Sequence, residues 1–327
     1  MKQFDHLIKE MAEKEEITVP NGFDRRVQAA LEELPPKQKK RKPGAVKTAL
    51  IAAAACMALL CTAFAASPGL REMLMDALGG FAPYAHEQEG ETYVIDGIEF
   101  EVVSALADDF TVRVYVKARD LEGDRLSKLE LNRLGGVFGV VDIPKKDMGE
   151  GESISGYVGG GMCAAYDEET KTALLAITSW GQVMADDLSG SVVRLFSLSG
   201  FSDNAYQQLW ENSEGTAFPV EIEPIPSLVA DAELTSALQA EEVRLSSLGL
   251  SIIFKADGVW AQFAGADASA KLADGTLVEA PWEGGQGSFG NHIAGNGRKV
   301  LVWNFREPLD LDEVVGIYIN GEYFPVK

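Results

Sequence analysis

Cysteine is scarce in this chain of 327 residues, which contains only three. Two of them, Cys56 and Cys61, lie inside one uncharged apolar run, so Cys163 stands alone in the rest of the chain. An internal disulfide is therefore excluded outside that run, and the folded part must be stabilised by the packing of a core. Cys163 is predicted to be a small buried hydrophobic residue rather than a nucleophile.

Histidine is equally scarce, and His6, His86 and His292 are widely separated in the sequence. The sequence also lacks the Gly-x-Ser-x-Gly, His-Glu-x-x-His and P-loop patterns that carry nucleophilic, zinc and phosphate chemistry. Cys56 and Cys61 are five residues apart, a spacing that does not place two ligands on one face of a helix. We therefore expect no catalytic residue, no cofactor and no metal site, and we expect that the protein is not an enzyme.

Basic residues are rare after residue 47. Residues 1–47 contain 11 of the 29 Lys and Arg and 8 of the 50 Asp and Glu, a net charge of +3, whereas the remainder carries a net charge of −24. A surface this negative repels phosphate backbones, which disfavours direct binding of nucleic acid by the large acidic part.

The one long hydrophobic run, Thr48–Ala66, contains 19 residues without a charge. As a helix it would be about 28 Å long, which matches the hydrocarbon core of a bilayer. Its N-terminal side carries a cluster of basic residues, Lys37, Lys39, Lys40, Arg41, Lys42 and Lys47. By the positive-inside rule, the sequence predicts a single-pass protein of the cell membrane with a cytoplasmic N-terminus and an extracytoplasmic C-terminus.

This run has two other interpretations. The small-x-small pattern Ala63-Phe64-Ala65 also fits a signal-peptide cleavage site, and a buried core helix is a third possibility. We favour an uncleaved anchor because the 47 residues before the run are too long, too acidic in places and too helical in pattern for a signal sequence.

The first 36 residues contain two amphipathic helical patterns, separated by Pro20-Asn21-Gly22 and ended by Pro35-Pro36. Their apolar positions follow the spacing of one helix face. These positions are Phe4, Leu7, Ile8 and Met11 in the first pattern, and Phe23, Val27, Ala30, Leu31 and Leu34 in the second. Because two short helices cannot enclose a core, we expect these faces to bind a cytoplasmic partner. Contact with the inner membrane surface, or a loose hairpin, remains the alternative.

The residues after the run are predicted to form one helix and then many strands. Leu70, Met73, Leu74, Ala77 and Leu78 have helical spacing, and Gly79-Gly80 ends the pattern. From Ile98 to Val102 and from Phe110 to Val116, apolar and polar residues alternate, which indicates half-buried antiparallel strands, with turns at Asp96-Gly97 and Asp108-Asp109. Further strands are predicted at 173–178, 192–196, 250–254, 259–263, 300–305, 315–319 and 322–326, and Asn320-Gly321 predicts a hairpin turn between the last two. The glycine cluster Gly156–Gly161 is predicted to be a flexible loop.

The expected fold is mainly β, with two antiparallel sandwich modules outside the membrane, an α-helical cytoplasmic segment and one transmembrane helix. A proline-rich stretch, Phe218–Pro226, places the boundary between the modules near residue 226. The expected regions are a helix pair at 1–36, a basic segment at 37–47, the span at 48–66, a short helix and linker at 67–90, and β domains at 91–226 and 227–327.

Several stretches of the chain resemble a known family. VPNGFDRRVQAALEELP, KQKKRK and the span ending TAFAASP are similar to the N-terminal part of bacterial single-pass anti-sigma-factor-like proteins with an extracytoplasmic domain of unknown function. YVIDGIEFEVVSALADDFTVRVYVKARDLEGDRL, EEVRLSSLGLSIIFKADG and VVGIYINGEYFPV are similar to the outer part of the same family. The sequence lacks the His-x3-Cys-x2-Cys zinc pattern found in one group of anti-sigma domains.

The resemblance implies that residues 1–34 restrain an extracytoplasmic-function sigma factor, and that the outer part consists of immunoglobulin-type β modules that sense an unknown ligand or protein. The function expected from the sequence is thus that of a membrane-anchored regulatory protein. The alternative is a membrane-tethered binding module without a sigma partner. Charging the apolar face of the second helical pattern separates the two.

Overall fold

The structure is a computed structural model that describes residues 68–326 except 89–90, 132–135, 145–153, 156–157, 181–187, 203–204, 231–234, 236, 256–257, 264 and 281–297. The cytoplasmic helix pair, the basic segment and the predicted span lie outside these residues. Within the part of the chain that is described, no helix is both long enough and apolar enough to span a membrane.

The described chain is mainly β, with antiparallel sheets and one short α-helix. The helix, α1, runs from Pro68 to Leu78 and is followed by a 3-10 helix at Gly79–Tyr84. The strands are β1 His86–Glu87, β2 Tyr93–Ile95, β3 Ile98–Ala107, β4 Thr111–Asp120, β5 Val137–Asp142, β6 Ile154–Ser155, β7 Val158–Asp167, β8 Thr172–Trp180, β9 Val192–Ser202, β10 Ala205–Pro219, β11 Leu228–Val229, β12 Glu242–Leu245, β13 Gly249–Phe254, β14 Ala268–Leu272, β15 Leu277–Ala280, β16 Arg298–Asn304, β17 Val314–Ile319 and β18 Glu322–Pro325. Short 3-10 helices occupy Arg125–Lys128, Val259–Gln262 and Leu311–Glu313.

The larger sheet contains nine strands of the described chain, in the order β1-β3-β4-β8-β7-β5-β9-β10, with β2 also paired to β3. All of its strand pairs are antiparallel. One core contains side chains from strands at both ends of this order, including Phe100 of β3 and Trp210 and Phe218 of β10. The ring centroids of Phe100 and Trp210 are 5.2 Å apart, and those of Phe100 and Phe218 are 5.7 Å apart. The sheet therefore curls around its own core.

A side chain closes the seam between the two ends of the curled sheet. The Nε2 atom of Gln88 donates to the carbonyl of Glu221 at 2.8 Å, and the backbone amide of Glu221 donates to Oε1 of Gln88 at 2.8 Å. The Gln88 side chain thus satisfies both the amide and the carbonyl of Glu221. It takes the place of the backbone hydrogen bonds that join paired strands.

The C-terminal region contains a five-stranded and a four-stranded sheet that share a core. The five strands have the order β11-β12-β13-β16-β6, and the four have the order β15-β14-β17-β18. Trp303 and Phe254 from the first sheet and Ile317 from the second are fully buried in that core. The strand β6 comes from the N-terminal region but pairs in parallel with β16 of the C-terminal region.

The β3–β4 hairpin inserts its tip into the C-terminal region. Phe110 at the tip is buried against Ile253, Val300 and Val302, with Trp180 beside them. The tip also makes polar contacts, among them a hydrogen bond of 2.6 Å from Nη1 of Arg244 to Asp109. These contacts join the curled sheet to the C-terminal sheets through buried apolar and polar groups.

Most strand predictions from the sequence are confirmed within one or two residues at their starts. The turn at Asp108-Asp109 is confirmed, as are Asp96-Gly97 and Asn320-Gly321, whose residues all have φ between +50° and +80°. Such φ values are those of the two central residues of a type I′ hairpin turn. The helix at residues 70–78 is also confirmed, and it ends where Gly79 adopts a φ of +53°.

Two local predictions were wrong. Residues 259–263 were predicted to be a strand, but Val259–Gln262 form a 3-10 helix. Gly159, Gly160 and Gly161 were predicted to lie in a flexible loop, but they belong to β7 and pair with Ser179, Thr178 and Ile177 of β8. The three glycines are held in the strand by pairing with β8, and the missing side chain of Gly161 allows close packing on Val137.

Candidate functional site

A groove of about 1170 Å³ lies between α1 and the outer face of strands β4, β7 and β8. Its walls come from three parts of the described chain: the helix, the curled sheet and the C-terminal region. The lining residues are Gly69, Glu72, Met73, Asp76, Ala77, Arg113, Tyr115, Leu131, Gly160, Gly161, Met162, Ala164, Ala165, Tyr166, Asp167, Glu168, Ala176, Thr178, Trp180, Val302 and Asn304. A cleft at the meeting point of several structural parts is a common setting for a ligand site.

The helix wall is held in place by an apolar stripe. Leu70, Leu74 and Leu78 are buried against the outer face of the sheet, where they pack with Tyr115 and neighbouring apolar side chains. Burial of each leucine contributes about 1.5–3 kcal/mol, enough to dock a helix of this length. The hydroxyl of Tyr115 also donates to the carbonyl of Ala77 at 3.4 Å.

Several small residues and one methionine of β7 and β8 line the groove. Gly160, Met162 and Ala164 of β7 face the groove, together with Ala176 of β8. A Cβ atom added at Gly160 would meet no atom within 4 Å, so this position opens directly into empty space. The adjacent Gly161 differs, because a Cβ there would lie 2.8 Å from Cγ1 of Val137.

Two aromatic residues and two residues of the C-terminal region also line the groove. Tyr115 and Trp180 lie on the curled sheet, while Val302 and Asn304 belong to β16 of the C-terminal region. Asn304 is fixed because its Oδ1 accepts a hydrogen bond of 3.2 Å from the hydroxyl of Thr111. Ligand bound in the groove would thus touch the curled sheet and the C-terminal region at once.

Among the residues that the structure describes, four carboxylates and one guanidinium line the groove. Glu72 and Asp76 project from α1, and Asp167 and Glu168 lie at the end of β7. Arg113 is the guanidinium, and its Nε donates to the hydroxyl of Thr178 at 3.3 Å. The lining is therefore acidic overall.

Asp167 is held in the ionised state by its own turn. The hydroxyl of Thr170 donates to Oδ2 of Asp167 at 2.8 Å, and the backbone amide of Glu169 donates to Oδ1 at 2.9 Å. These hydrogen bonds lower the pKa of Asp167 below its usual value, with the Thr170 bond as the main cause. A Cβ added at Gly69 would lie 3.0 Å from Oδ2 of Asp167, which places this carboxylate against the first turn of α1.

The described residues do not bring the usual catalytic or metal-binding groups together. No group of three His, Cys, Asp or Glu side chains in that part of the chain could hold a metal ion. Cys163 is buried, as the sequence predicted, and burial raises the pKa of its thiol to about 12, so it is protonated at neutral pH. His86 lies on β1, where its Nδ1 is 3.5 Å from Oε2 of Glu223, and it is not among the groove residues.

The partner-binding and topology residues predicted from the sequence, which run from Phe4 to Leu34 and from Lys37 to Lys47, lie outside the described residues. The groove was not predicted from the sequence. The leucine stripe of α1 was predicted, but the acidic positions on the other side of the helix were given no role. The run Gly159–Ala165 contains three glycines and two alanines within one strand. This run of small residues is the sequence feature that indicates a concave surface.

The chain was compared with known proteins. No protein-family model matches it, and no curated protein matches it. Among solved structures it is similar to a conserved domain protein from Bacillus anthracis, with 11% sequence identity and a TM-score of 0.41, over 72% of this chain and 76% of that chain. We draw no conclusion about fold or function from so distant a similarity.

Proposed function

We propose that the protein is a membrane-anchored regulator of the anti-sigma-factor type, in which cytoplasmic helices bind a sigma factor and the β-rich part senses a ligand outside the membrane. One observation carries this proposal. One wall of the groove is α1, which begins at Pro68, two residues after the predicted span ends at Ala66. A ligand in the groove would therefore touch the segment that leaves the membrane.

The packing of α1 supports a role in signalling. Three leucines and one hydrogen bond attach the helix to the sheet, whereas its acidic side borders the groove. A ligand that binds the docked helix more tightly than the undocked helix would stabilise the docked state. The gain equals the difference between its two binding free energies. That coupling is what a sensor needs in order to transmit binding along a single helix.

The proposal includes localisation and fold assignments that rest on the sequence. The span at 48–66 anchors the chain in the cell membrane, with residues 1–36 in the cytoplasm. The β-rich regions belong to immunoglobulin-like modules, which is supported for the C-terminal region by two sheets packed on one core. The protein is not an enzyme, needs no cofactor and does not bind nucleic acid directly.

Co-purification tests the sigma-factor partner. The full chain, tagged at its C-terminus and extracted in mild detergent, is expected to bring down a sigma factor. The variant Phe23→Asp with Leu31→Asp places charges on the predicted binding face and is expected to lose that partner. The matched control, Asn21→Asp with Gln28→Asp, adds the same charge away from that face and is expected to retain it. Recovery of no sigma factor with the unaltered chain would contradict the proposal.

The alternative function is a membrane-tethered binding module without a sigma partner. The groove alone favours this alternative as much as it favours a sensor. The two are separated by transcription measurements: the Phe23→Asp with Leu31→Asp variant is expected to raise transcription from promoters of the bound sigma factor. Unchanged transcription, together with normal display of the outer part, would favour the tether.

A further inference from the structure

The carboxylates of Glu72 and Asp76, which line the groove from α1, repel each other. Glu72 and Asp76 are four residues apart on α1, so their side chains are neighbours on one face of the helix, and both residues are exposed. A like-charged pair at this spacing destabilises a helix. A positively charged group in the groove would remove this repulsion.

Two further carboxylates lie at the end of β7. Asp167 and Glu168 line the same groove, and Asp167 is kept ionised by the hydroxyl of Thr170. Among the described lining residues the guanidinium is that of Arg113, which donates to the hydroxyl of Thr178. With four carboxylates against one guanidinium, the lining favours a ligand that carries several positive charges.

The apolar side chains of the groove favour a ligand that carries apolar groups as well as positive charges. Met73 from the helix and Met162 from the sheet line the groove, as do Trp180 and Val302. Methionine side chains adapt to apolar ligands of varied shape, and a tryptophan face binds both apolar groups and cations. A hydrated inorganic cation would use the carboxylates but leave this apolar floor in contact with water, so the floor argues against it.

The size of the groove exceeds that of a typical small-molecule pocket, which is about 300–1000 Å³. The cavity of about 1170 Å³ can instead hold several residues of a peptide. The small residues of the floor, Gly160, Ala164 and Ala176, allow a peptide backbone or side chain to approach the sheet closely.

We infer that the groove between α1 and the outer face of β4, β7 and β8 binds a cationic amphipathic peptide. Its positive side chains lie against Glu72, Asp76, Asp167 and Glu168, and its apolar side chains lie on Met73, Met162 and Trp180. The inference names the ligand class of the site invoked above and so rests on the proposed function. A peptide of this kind bridges the helix wall and the sheet, and it therefore favours the docked helix.

The test uses the full chain in nanodiscs of zwitterionic phosphatidylcholine, because a cationic peptide would adsorb to anionic lipid. The probe is a synthetic amidated peptide of leucine and lysine, about ten residues long. Its binding heat is measured by titration calorimetry, and the heat from empty nanodiscs is subtracted. We expect saturable binding that weakens as salt rises from about 50 to about 300 mM, because salt screens the carboxylates. An analogue with glutamate in place of lysine is expected not to bind.

Two groove variants identify the site. Glu72→Gln with Asp76→Asn removes two charges and is expected to weaken binding about tenfold. Gly160→Leu places a side chain in the empty space of the floor and is expected to abolish saturable binding. The matched controls are Glu307→Gln with Asp312→Asn, which removes two exposed charges elsewhere, and Ser213→Leu, which adds an exposed leucine elsewhere. Both controls are expected to bind within about twofold of the unaltered chain.

Several outcomes would overturn the inference. These are the absence of saturable binding, equal binding of the glutamate analogue, or equal affinity in the groove variants and their controls. Circular dichroism and thermal melting of each variant establish that the β-rich part is folded, so loss of binding in Gly160→Leu is not attributed to unfolding. The sigma-factor co-purification is independent of this assay. A chain that holds a sigma factor but does not bind the peptide contradicts only the ligand class.

Discussion

Ser246 donates a hydrogen bond of 2.5 Å to the buried carboxylate of Asp108, across 138 residues of sequence. The other carboxylate oxygen of Asp108 accepts from the backbone amides of Phe110 and Thr111 at 2.9 and 2.8 Å. The same side chain therefore shapes the tip of the β3–β4 hairpin and attaches it to the C-terminal region. The hydroxyl of Ser246 in turn accepts from the amides of Leu248 and Gly249, so both partners are fixed by their own turns.

This buried pair gives the first prediction. Ser246→Ala is expected to lower the free energy of unfolding by about 1–3 kcal/mol, because it leaves one oxygen of a buried carboxylate without its side-chain donor. Asp108→Ala is expected to lower the free energy of unfolding by a similar amount, because it leaves the amides of Phe110 and Thr111 without their side-chain acceptor, as Ser246→Ala does for those of Leu248 and Gly249. Urea unfolding followed by tryptophan fluorescence measures both.

A double-mutant cycle with Asp108→Asn and Ser246→Ala isolates the contact. The coupling free energy is expected to be at least about 0.5 kcal/mol, since the groups touch directly. Strict additivity of the two changes would show that the bond contributes nothing specific.

Asp120 gives a prediction about pH. Its side chain is fully buried, and its two oxygens accept from Nη2 and Nε of Arg125 at 2.8 and 3.0 Å and from three backbone amides. The side-chain bond from Arg125 is the main cause that lowers the pKa of Asp120 far below its usual range. A carboxyl whose pKa is lowered by folding stabilises the fold at pH values above its unfolded pKa, about 3.9, and loses this effect as pH falls towards the folded value.

Asp120→Asn is therefore expected to lower the free energy of unfolding by about 3 kcal/mol at pH 7. The difference from the unaltered protein should shrink as the pH falls below about 4, because the unaltered protein then loses its own stabilisation. The control is Asp142→Asn, at a more than half exposed carboxylate paired with Arg194, which is expected to change stability by less than about 1 kcal/mol. A pH-independent effect of Asp120→Asn would contradict the assignment.

The docking of α1 gives the third prediction. Leu74 is 1% exposed in the interface between the helix and the sheet. Leu74→Ala is expected to cost about 3 kcal/mol and to raise the hydrogen exchange rates of the amides of α1. Glu72→Gln changes an exposed position of the same helix and is expected to leave those rates nearly unchanged. Equal exchange in both variants would mean that the leucine stripe does not hold the helix.

Two adjacent glycines give the fourth prediction. Gly161→Ala is expected to destabilise the protein by about 1–3 kcal/mol, because the new Cβ would lie 2.8 Å from Cγ1 of Val137. Gly160→Ala meets no atom within 4 Å and is expected to be neutral, or to stabilise by about 0.4–1 kcal/mol through the unfolded chain. Thermal melting compares them. The same loss of stability in both variants would show that Gly161 is not under steric constraint.

The sequence predicted local features where short-range physics decides them. The turns at Asp96-Gly97 and Asn320-Gly321 were predictable because these residue pairs adopt positive φ at little cost. Strand β4 was predictable from its alternation, but Tyr115, which that pattern placed on the polar face, is 1% exposed. The helix α1 covers Tyr115. The alternation of residues along a strand does not show where a helix will pack on the sheet.

The sequence by itself determined several of the strands and their turns, the leucine stripe of α1 and the absence of a disulfide in the acidic part, because these follow from neighbouring residues and composition. Only the tertiary structure decided that the sheet curls until Phe100 meets Trp210, that Ser246 reaches Asp108, and that a glycine-rich strand forms the floor of a groove. Each depends on residues far apart in the chain, whose meeting is set by the packing of whole sheets.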